Sequence, residues 1–356
     1  MRQDTNYAYA VARIKAMENR LLKSNDIDTL IDAPAEDLIE MLAGFGYPAN
    51  ETPASNNDAN NEIDPLASYT EKLTSFFAET VRAVMKFSPE PEVLACFLIP
   101  ADYNNLKICI KEIVKGSASQ DQAGAELSRN GTVSPEDLWN AVVKKDFSSL
   151  DPVISSAAKK ALDELAKSGN SRNSDIIIDK ACFTAMKESA YKGSLITRSV
   201  MNRYLYSYAD WKNLLAAMRI SKSGPNAELL KKAYLPGNII QDYFIKVMNG
   251  VCSPFSGTKY EPFISAALGS GQKSQHDVND ILFIERLSEN YLYVQLIKDR
   301  NEPYRINALL AYIAARKREI SAVRLIAVGK RARLTSDEIR KMIEESDQSL
   351  RFIERI

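Results

Sequence analysis

Apolar positions in this chain recur at helical spacing almost throughout. In residues 102–116, Leu106, Ile110, Ile113 and Val114 fall at i, i+4, i+7 and i+8, one face of a helix. Gly116 follows, where a glycine can take the left-handed conformation that closes a helix. The polar positions of this stretch come back. Asp102, Asn105 and Lys107 lie along the first version; Asp210 and Asn213, again three residues apart and followed by an aliphatic residue, form the second. A third stands at Glu319 and Arg324, with Ala322 in the place of the asparagine. The acids are 108 and 109 residues apart, an interval that predicts a duplicated helical unit.

The same periodicity predicts helices over 7–23, over a shorter segment that starts within 32–37, with Pro34 near its start, and runs through Leu38 to Leu42, and over 66–87. It continues over the organising helix from 92, with a kink or break at Pro100, and over 153–167, 174–192, 195–222 and 304–331. Short helices led by Pro135 and Pro236 are expected after the first two long ones, and a last helix opens at Thr335 with a hydroxyl cap and early acids. The isoleucines at 176–178 are too short and isolated a run to stand as a strand. The asparagine-rich residues 49–62 and residues 116–131 are expected to be loop. Three units follow, 1–94, 95–200 and 201–356, the last with the C-terminal closing helices.

Composition agrees with few, long elements. Glycine and proline number 14 each in 356 residues, below average usage of roughly 7% and 5%. An all-α fold with more than about 60% helix is expected. Lysine and arginine balance aspartate and glutamate at 46 each, so no global field points to nucleic acid or an anionic membrane. The charge is nevertheless uneven. Residues 24–71 carry eleven acids and no lysine or arginine, whereas residues 311–341 carry nine bases against three acids. The two ends of the chain therefore face solvent, different partners, or each other.

Little in the sequence suggests chemistry. A single histidine, His276, excludes His–His metal sites. There is no phosphate-cradling G-x-x-x-x-G-K-[ST] loop, no G-x-S-x-G elbow and no dinucleotide-binding glycine pattern. No catalytic, cofactor or metal site is expected. The four cysteines, Cys96, Cys109, Cys182 and Cys252, are scattered among apolar neighbours, as buried thiols of a reducing compartment would be. With no signal-peptide core and no apolar run of roughly 18 residues, a cytosolic protein that does not itself cross a bilayer is expected. The repeated polar residues Asp102, Asn105, Lys107, Asp210, Asn213, Glu319 and Arg324 are read as structural positions making inter-helix hydrogen bonds where copies meet. The tyrosines at 7 and 9, at 204, 206 and 208, and at 291 and 293 are read as filling helix seams.

With these residues in place, the chain resembles the C subunits of bacterial and archaeal V/A-type ATP synthases, related to the d subunit of the eukaryotic vacuolar proton pump. The opening Tyr9-Ala10-Val11-Ala12-Arg13-Ile14-Lys15-Ala16-Met17-Glu18 is similar to the start of that family. Asp102-Tyr103-Asn104-Asn105-Leu106-Lys107, the pair Asp210 and Asn213, and Arg316-Lys317-Arg318-Glu319 continue the likeness along the whole chain. Ala322 and the asparagine-rich loop at 55–61 depart from it. The resemblance implies an all-helical, funnel-shaped protein of three similar units with pseudo-threefold symmetry. It also implies a non-catalytic member of a rotary ATPase without a nucleotide site, on the cytoplasmic side of a membrane rotor ring of proteolipid subunits. There it would receive the foot of the central stalk, couple stalk to ring, and meet the membrane only through the complex. A helical-repeat scaffold for a soluble protein or nucleic acid is the alternative.

Overall fold

A computed structural model describes residues 5–49, 65–115, 127–268, 281–302 and 304–353. Helices make up 74% of the fold, and no strand occurs among the described residues. In chain order the helices are α1 (Thr5–Glu18), α2 (Ser24–Asp32), α3 (Leu38–Gly44), α4 (Pro65–Met85), α5 (Pro91–Leu94), a 3₁₀ turn (Ala95–Phe97) and α6 (Ile99–Lys115). There follow α7 (Pro135–Lys144), α8 (Pro152–Ser168), α9 (Ser171–Tyr191), α10 (Leu195–Ser223), α11 (Ala227–Ala233) and α12 (Gln241–Met248). The chain closes with α13 (Glu261–Leu268), α14 (Ile281–Ile297), α15 (Asn307–Arg331) and α16 (Ser336–Ile353).

Local chemistry explains several of these boundaries. Ser134, Asp151, Asn170, Ser194 and Asn226 each accept a hydrogen bond from an amide of the first turn that they precede. At α16 the bond is reciprocal: Glu338 N–H donates to Thr335 Oγ1, and Glu338 Oε2 accepts from Thr335 N–H at 2.8 Å. Gly169 ends α8 in the left-handed conformation, at φ 63°. Pro100 has no N–H, and its ring excludes the helical carbonyl at Cys96. The chain accordingly bends by 48° between 91–97 and 99–113. Residues 176–178 lie inside α9, so helical context overrides the β-branched triplet.

The chain divides into two compact units. One holds residues 1–89 and 293–356. Here α15 packs on α4, α1 and α2, and α16 packs on α15 and α2. Leu30, Ile31, Leu38, Leu42, Tyr69, Leu73, Val323, Ile326 and Ala327 form its core. The other holds residues 90–292, with α9 against α8, α6 and α10, α6 against α7, and α10 against α12. Tyr204 and Tyr208 of α10 lie 5.9 and 6.4 Å from Phe97 and Phe183 respectively, filling helix seams. Trp211 is ringed by Phe255, Tyr260, Phe263 and Tyr291, with centroids 4.7 to 6.1 Å away.

Several expectations change. α2 is absent from the sequence-based helices, which ran 7–23 as one element and placed none over 24–31. The break falls after Glu18, and α2 begins where Lys23 N–H donates to Asp26 Oδ2 at 2.8 Å. Pro236 leads no helix. It lies in the loop between α11 and α12. Residues 50–64 and 116–126, most of the two expected loops, lie outside the described residues, as does His276.

Candidate functional site

The repeated polar residues form three buried clamps on the chain segments that approach the long helices. In α6, Asp102 accepts from Thr132 N–H at 2.9 Å, from Val133 N–H at 2.9 Å and from Thr132 Oγ1 at 2.6 Å. One turn on, Asn105 Nδ2 donates to Ser128 O at 2.7 Å while its Oδ1 accepts from Ser128 N–H at 2.9 Å. An aspartate and an asparagine three apart on one helix face thus hold the loop that leads into α7.

The second clamp repeats the first. In α10, Asp210 Oδ1 accepts from Ile239 N–H at 3.0 Å, and Oδ2 accepts from Asn238 Nδ2 at 2.8 Å and Tyr260 OH at 2.5 Å. Asn213 grips both backbone groups of Leu235, at 2.7 and 2.8 Å. The sequence offsets match: Asp102 reaches 30 residues ahead to Thr132 and Asp210 reaches 29 to Ile239. Asn105 reaches 23 to Ser128, and Asn213 reaches 22 to Leu235. A glycine lies against each carboxylate, Gly131 at Asp102 and Gly237 at Asp210; a Cβ at either would overlap Oδ1.

The third clamp differs in direction. Glu319 of α15 accepts from Leu22 N–H at 2.7 Å and from Tyr47 OH. Leu22 lies 297 residues earlier, so the N-terminal segment takes the place that the following loop holds in the other two. Arg316, also buried, donates to Glu319 Oε1 and lies 5.5 Å from the centre of the Phe76 ring and 5.8 Å from that of Tyr47. Ala322 offers no side chain to grip a loop in the manner of Asn105 and Asn213.

Electrostatics separate the clamps. Burial pushes the Asp210 carboxyl up, against the opposing pull of its Tyr260, Asn238 and Ile239 donors. Burial also raises Glu319, with Arg316 the first of the influences holding it down. Tyr260 and Tyr47 are pushed up by burial and by the carboxylate each one faces, so both hydroxyls stay protonated donors. These are groups locked in hydrogen bonds, not poised for proton transfer. Among the described residues no cluster of three histidine, cysteine or acidic side chains is placed to hold a metal ion. Burial pushes the thiols of Cys109 and Cys182 up to about 12.

The remaining expected positions lie at the periphery. Lys107 pairs with Asp179 of α9 at 2.6 Å, and Arg324 donates to Thr74 of α4 at 2.8 Å. Both do bridge helices. The five buried members instead bind backbone amides, loop side chains or, at Glu319, a tyrosine and the neighbouring arginine. Sequence reasoning missed Tyr260, Asn238, Tyr47, Gly131 and Gly237. The asparagine–glycine content of 130–131 and 237–238, at like distances after the two aspartates, is a signal that was there to find. The acidic and basic ends meet in part: Arg340 pairs with Asp32 at 2.9 Å, and Lys330 Nζ donates to Ile31 O at 2.7 Å.

No single helix among the described residues is long and apolar enough to cross a membrane. The bent pair 91–97 and 99–113 has the length and composition only when taken as one span, and its Leu94, Cys96, Leu106 and Ile110 are buried in the fold.

Residues 10–342 match the family described as ATP synthase (C/AC39) subunit. The C subunit of the A-type ATP synthase of Methanocaldococcus jannaschii is 20% identical across 95% of this chain and 86% of its own length. The corresponding protein of a Desulfurococcus species is 24% identical, covering 91% of this chain and 86% of that relative. The C subunit of the Haloquadratum walsbyi A-type ATP synthase is 20% identical across 95% of this chain and 98% of its own length.

Proposed function

The chain belongs to the ATP synthase (C/AC39) subunit family, and on that premise we propose that this non-catalytic subunit of a rotary ATPase couples the central stalk to the membrane rotor ring. The observation that carries the reading is the extent of the match, residues 10–342, together with relatives named as C subunits of A-type ATP synthases over nearly their whole length. In this reading the protein sits peripherally on the cytoplasmic side, meets the membrane only through the proteolipid ring, and transmits torque during ion transport or ATP synthesis.

The clamps support a torque-bearing role physically. A coupling body must not yield at its helix ends, where loops are ordinarily the softest part of a fold. Here the loop that leads into α7 and the loop between α11 and α12 are tied to α6 and α10 by buried and part-buried hydrogen bonds. The three long helices with their pinned segments are read as three copies of one unit, the third closed by the N-terminal segment.

Reconstitution tests the reading. Stalk and ring assembled with this chain are expected to couple ATP hydrolysis to ion movement, and to lose that coupling without it. Equal coupling in its absence would refute the adaptor role.

A further inference from the structure

The loop that Asp210 holds also forms one wall of a surface pocket of roughly 380 Å³, lined by Asn238, Ile239, Ile240, Tyr243, Lys246 and Lys259 together with Asp242 and Thr258. Its frame is fixed. Ile239 N–H and Asn238 Nδ2 donate to Asp210, Tyr234 OH donates to Ile239 O at 2.8 Å, and Tyr243 OH donates to Ser256 O at 2.9 Å. Thr258 Oγ1 donates to Phe255 O at 2.6 Å. The hydroxyls and the Asn238 amide are thus committed to the fold. Lys246 has no ion-pair partner among the described residues; Lys259 has none within ion-pair distance, but its Nζ lies 5.0 Å from the centre of the Tyr260 ring and feels the Asp210 carboxylate behind the wall. At the lip Ile240 is 71% exposed, an aliphatic side chain left in water beside the two cations.

We propose that this pocket seats an acidic–aliphatic segment of a protein partner, one Asp or Glu carboxylate between Lys246 and Lys259 and a neighbouring aliphatic side chain on Ile239 and Ile240. Charge selects the occupant. The lining itself, two lysines and Asp242, carries a single net positive charge, which Asp210 behind the wall can only reduce; one carboxylate matches it, and a phosphate dianion exceeds it. The lining supplies no arginine fork, the group best shaped for phosphate. The pocket is large enough for one or two side chains, and a preformed wall lowers the ordering cost of docking. The proposal deepens the rotor-subunit reading and rests on it for the partner's place in the complex.

Two measurements test it. The full chain, labelled at isoleucine δ1 methyls, is titrated with N-acetyl-Leu-Glu-amide and separately with inorganic phosphate. Saturable shifts at Ile239 and Ile240 with the peptide are expected, at least tenfold weaker in the Lys246→Gln/Lys259→Gln variant, with no saturation by phosphate over the same range. No saturable peptide shift, a shift indifferent to the double substitution, or equal saturation by phosphate would overturn the proposal. In the second measurement, wild type and variant are bound to the isolated stalk and ring. A loss of at least tenfold in affinity for one of them is expected. A variant that binds both as wild type does overturns the pocket and leaves the rotor reading intact. A wild-type chain that binds neither refutes the rotor reading, and the methyl titration then decides the pocket. Both lysines are exposed, and circular dichroism verifies that the variant is folded.

Discussion

Asn213 holds Leu235 by both of its backbone groups, Nδ2 on the carbonyl at 2.7 Å and Oδ1 on the N–H at 2.8 Å. All of these groups are buried, so the amide completes a backbone that has no water to bond with. Asn213→Ala removes both bonds and leaves a donor and an acceptor stranded, at roughly 1–3 kcal/mol each. A loss of about 2–4 kcal/mol in urea unfolding is expected. Asn105→Ala should cost less, because Ser128 is only partly buried and water can replace the side chain. Equal costs at the two sites would show that the grip on the loop is not what the asparagines contribute.

Gly131 and Gly237 are predicted to resist alanine. Neither has a positive φ, so the obstacle is not backbone strain but the carboxylate against which each glycine lies. A methyl group there must displace Asp102 or Asp210 from its hydrogen bonds. Overpacking of this kind costs about 1–3 kcal/mol. Gly44→Ala, where a Cβ would meet nothing within 4 Å, is the control and should leave the thermal midpoint within a degree or two.

Asp210 carries a pH signature with a definite sign. Burial raises its folded-state pKa above the unfolded value. Its contribution to stability is therefore complete below the unfolded pKa and declines as pH rises through the folded one. The stability difference between wild type and Asp210→Asn should fall steadily from acid toward neutral pH in urea melts. Tyr260→Phe removes one of the donors that hold the carboxyl down, so the decline should extend to higher pH. A difference independent of pH would mean that Asp210 is ordinarily solvated in the native state.

How much of this was legible beforehand depended on where the partners lie along the chain. The bounds of α10 could be read because Ser194 caps one end and Gly224-Pro225 closes the other, so local chemistry sets both. Helix α2 was not legible. Its cap is Lys23, a residue with no capping preference, and only Ile27, Leu30 and Ile31 mark its apolar face. The spacing of Asp102, Asp210 and Glu319 was visible, whereas their ligands were not. Loop amides carry no side-chain signature, and Tyr260 lies 50 residues beyond Asp210. Glu319 was least legible, since Leu22 and Tyr47 stand 297 and 272 residues before it and nothing periodic joins them. The family was nonetheless readable from the order of these short motifs, and the match over residues 10–342 bears that out.

The last prediction concerns the pair at the third clamp. Arg316 and Glu319 are both buried, bonded to each other, and shared among Leu22, Tyr47, Tyr312 and the Phe76 ring. In such a setting most of the cost of a single substitution is the charge left behind without its partner. Arg316→Met leaves Glu319 among neutral donors in the core and should destabilise by about 3–5 kcal/mol. Glu319→Gln leaves the guanidinium stranded and should cost a comparable amount. The double variant removes both charges, so it should lie well short of the sum, with a coupling of about 1–3 kcal/mol in a double-mutant cycle. Salt sharpens the comparison. The half-buried surface residue Arg340, which pairs with the exposed Asp32 at 2.9 Å and Asp337 at 3.1 Å, should matter less as ionic strength rises, whereas the buried coupling should hardly change. Additive single effects at 316 and 319, or a coupling that fades with salt as Arg340 does, would show that the N-terminal segment is closed onto α15 by apolar packing alone.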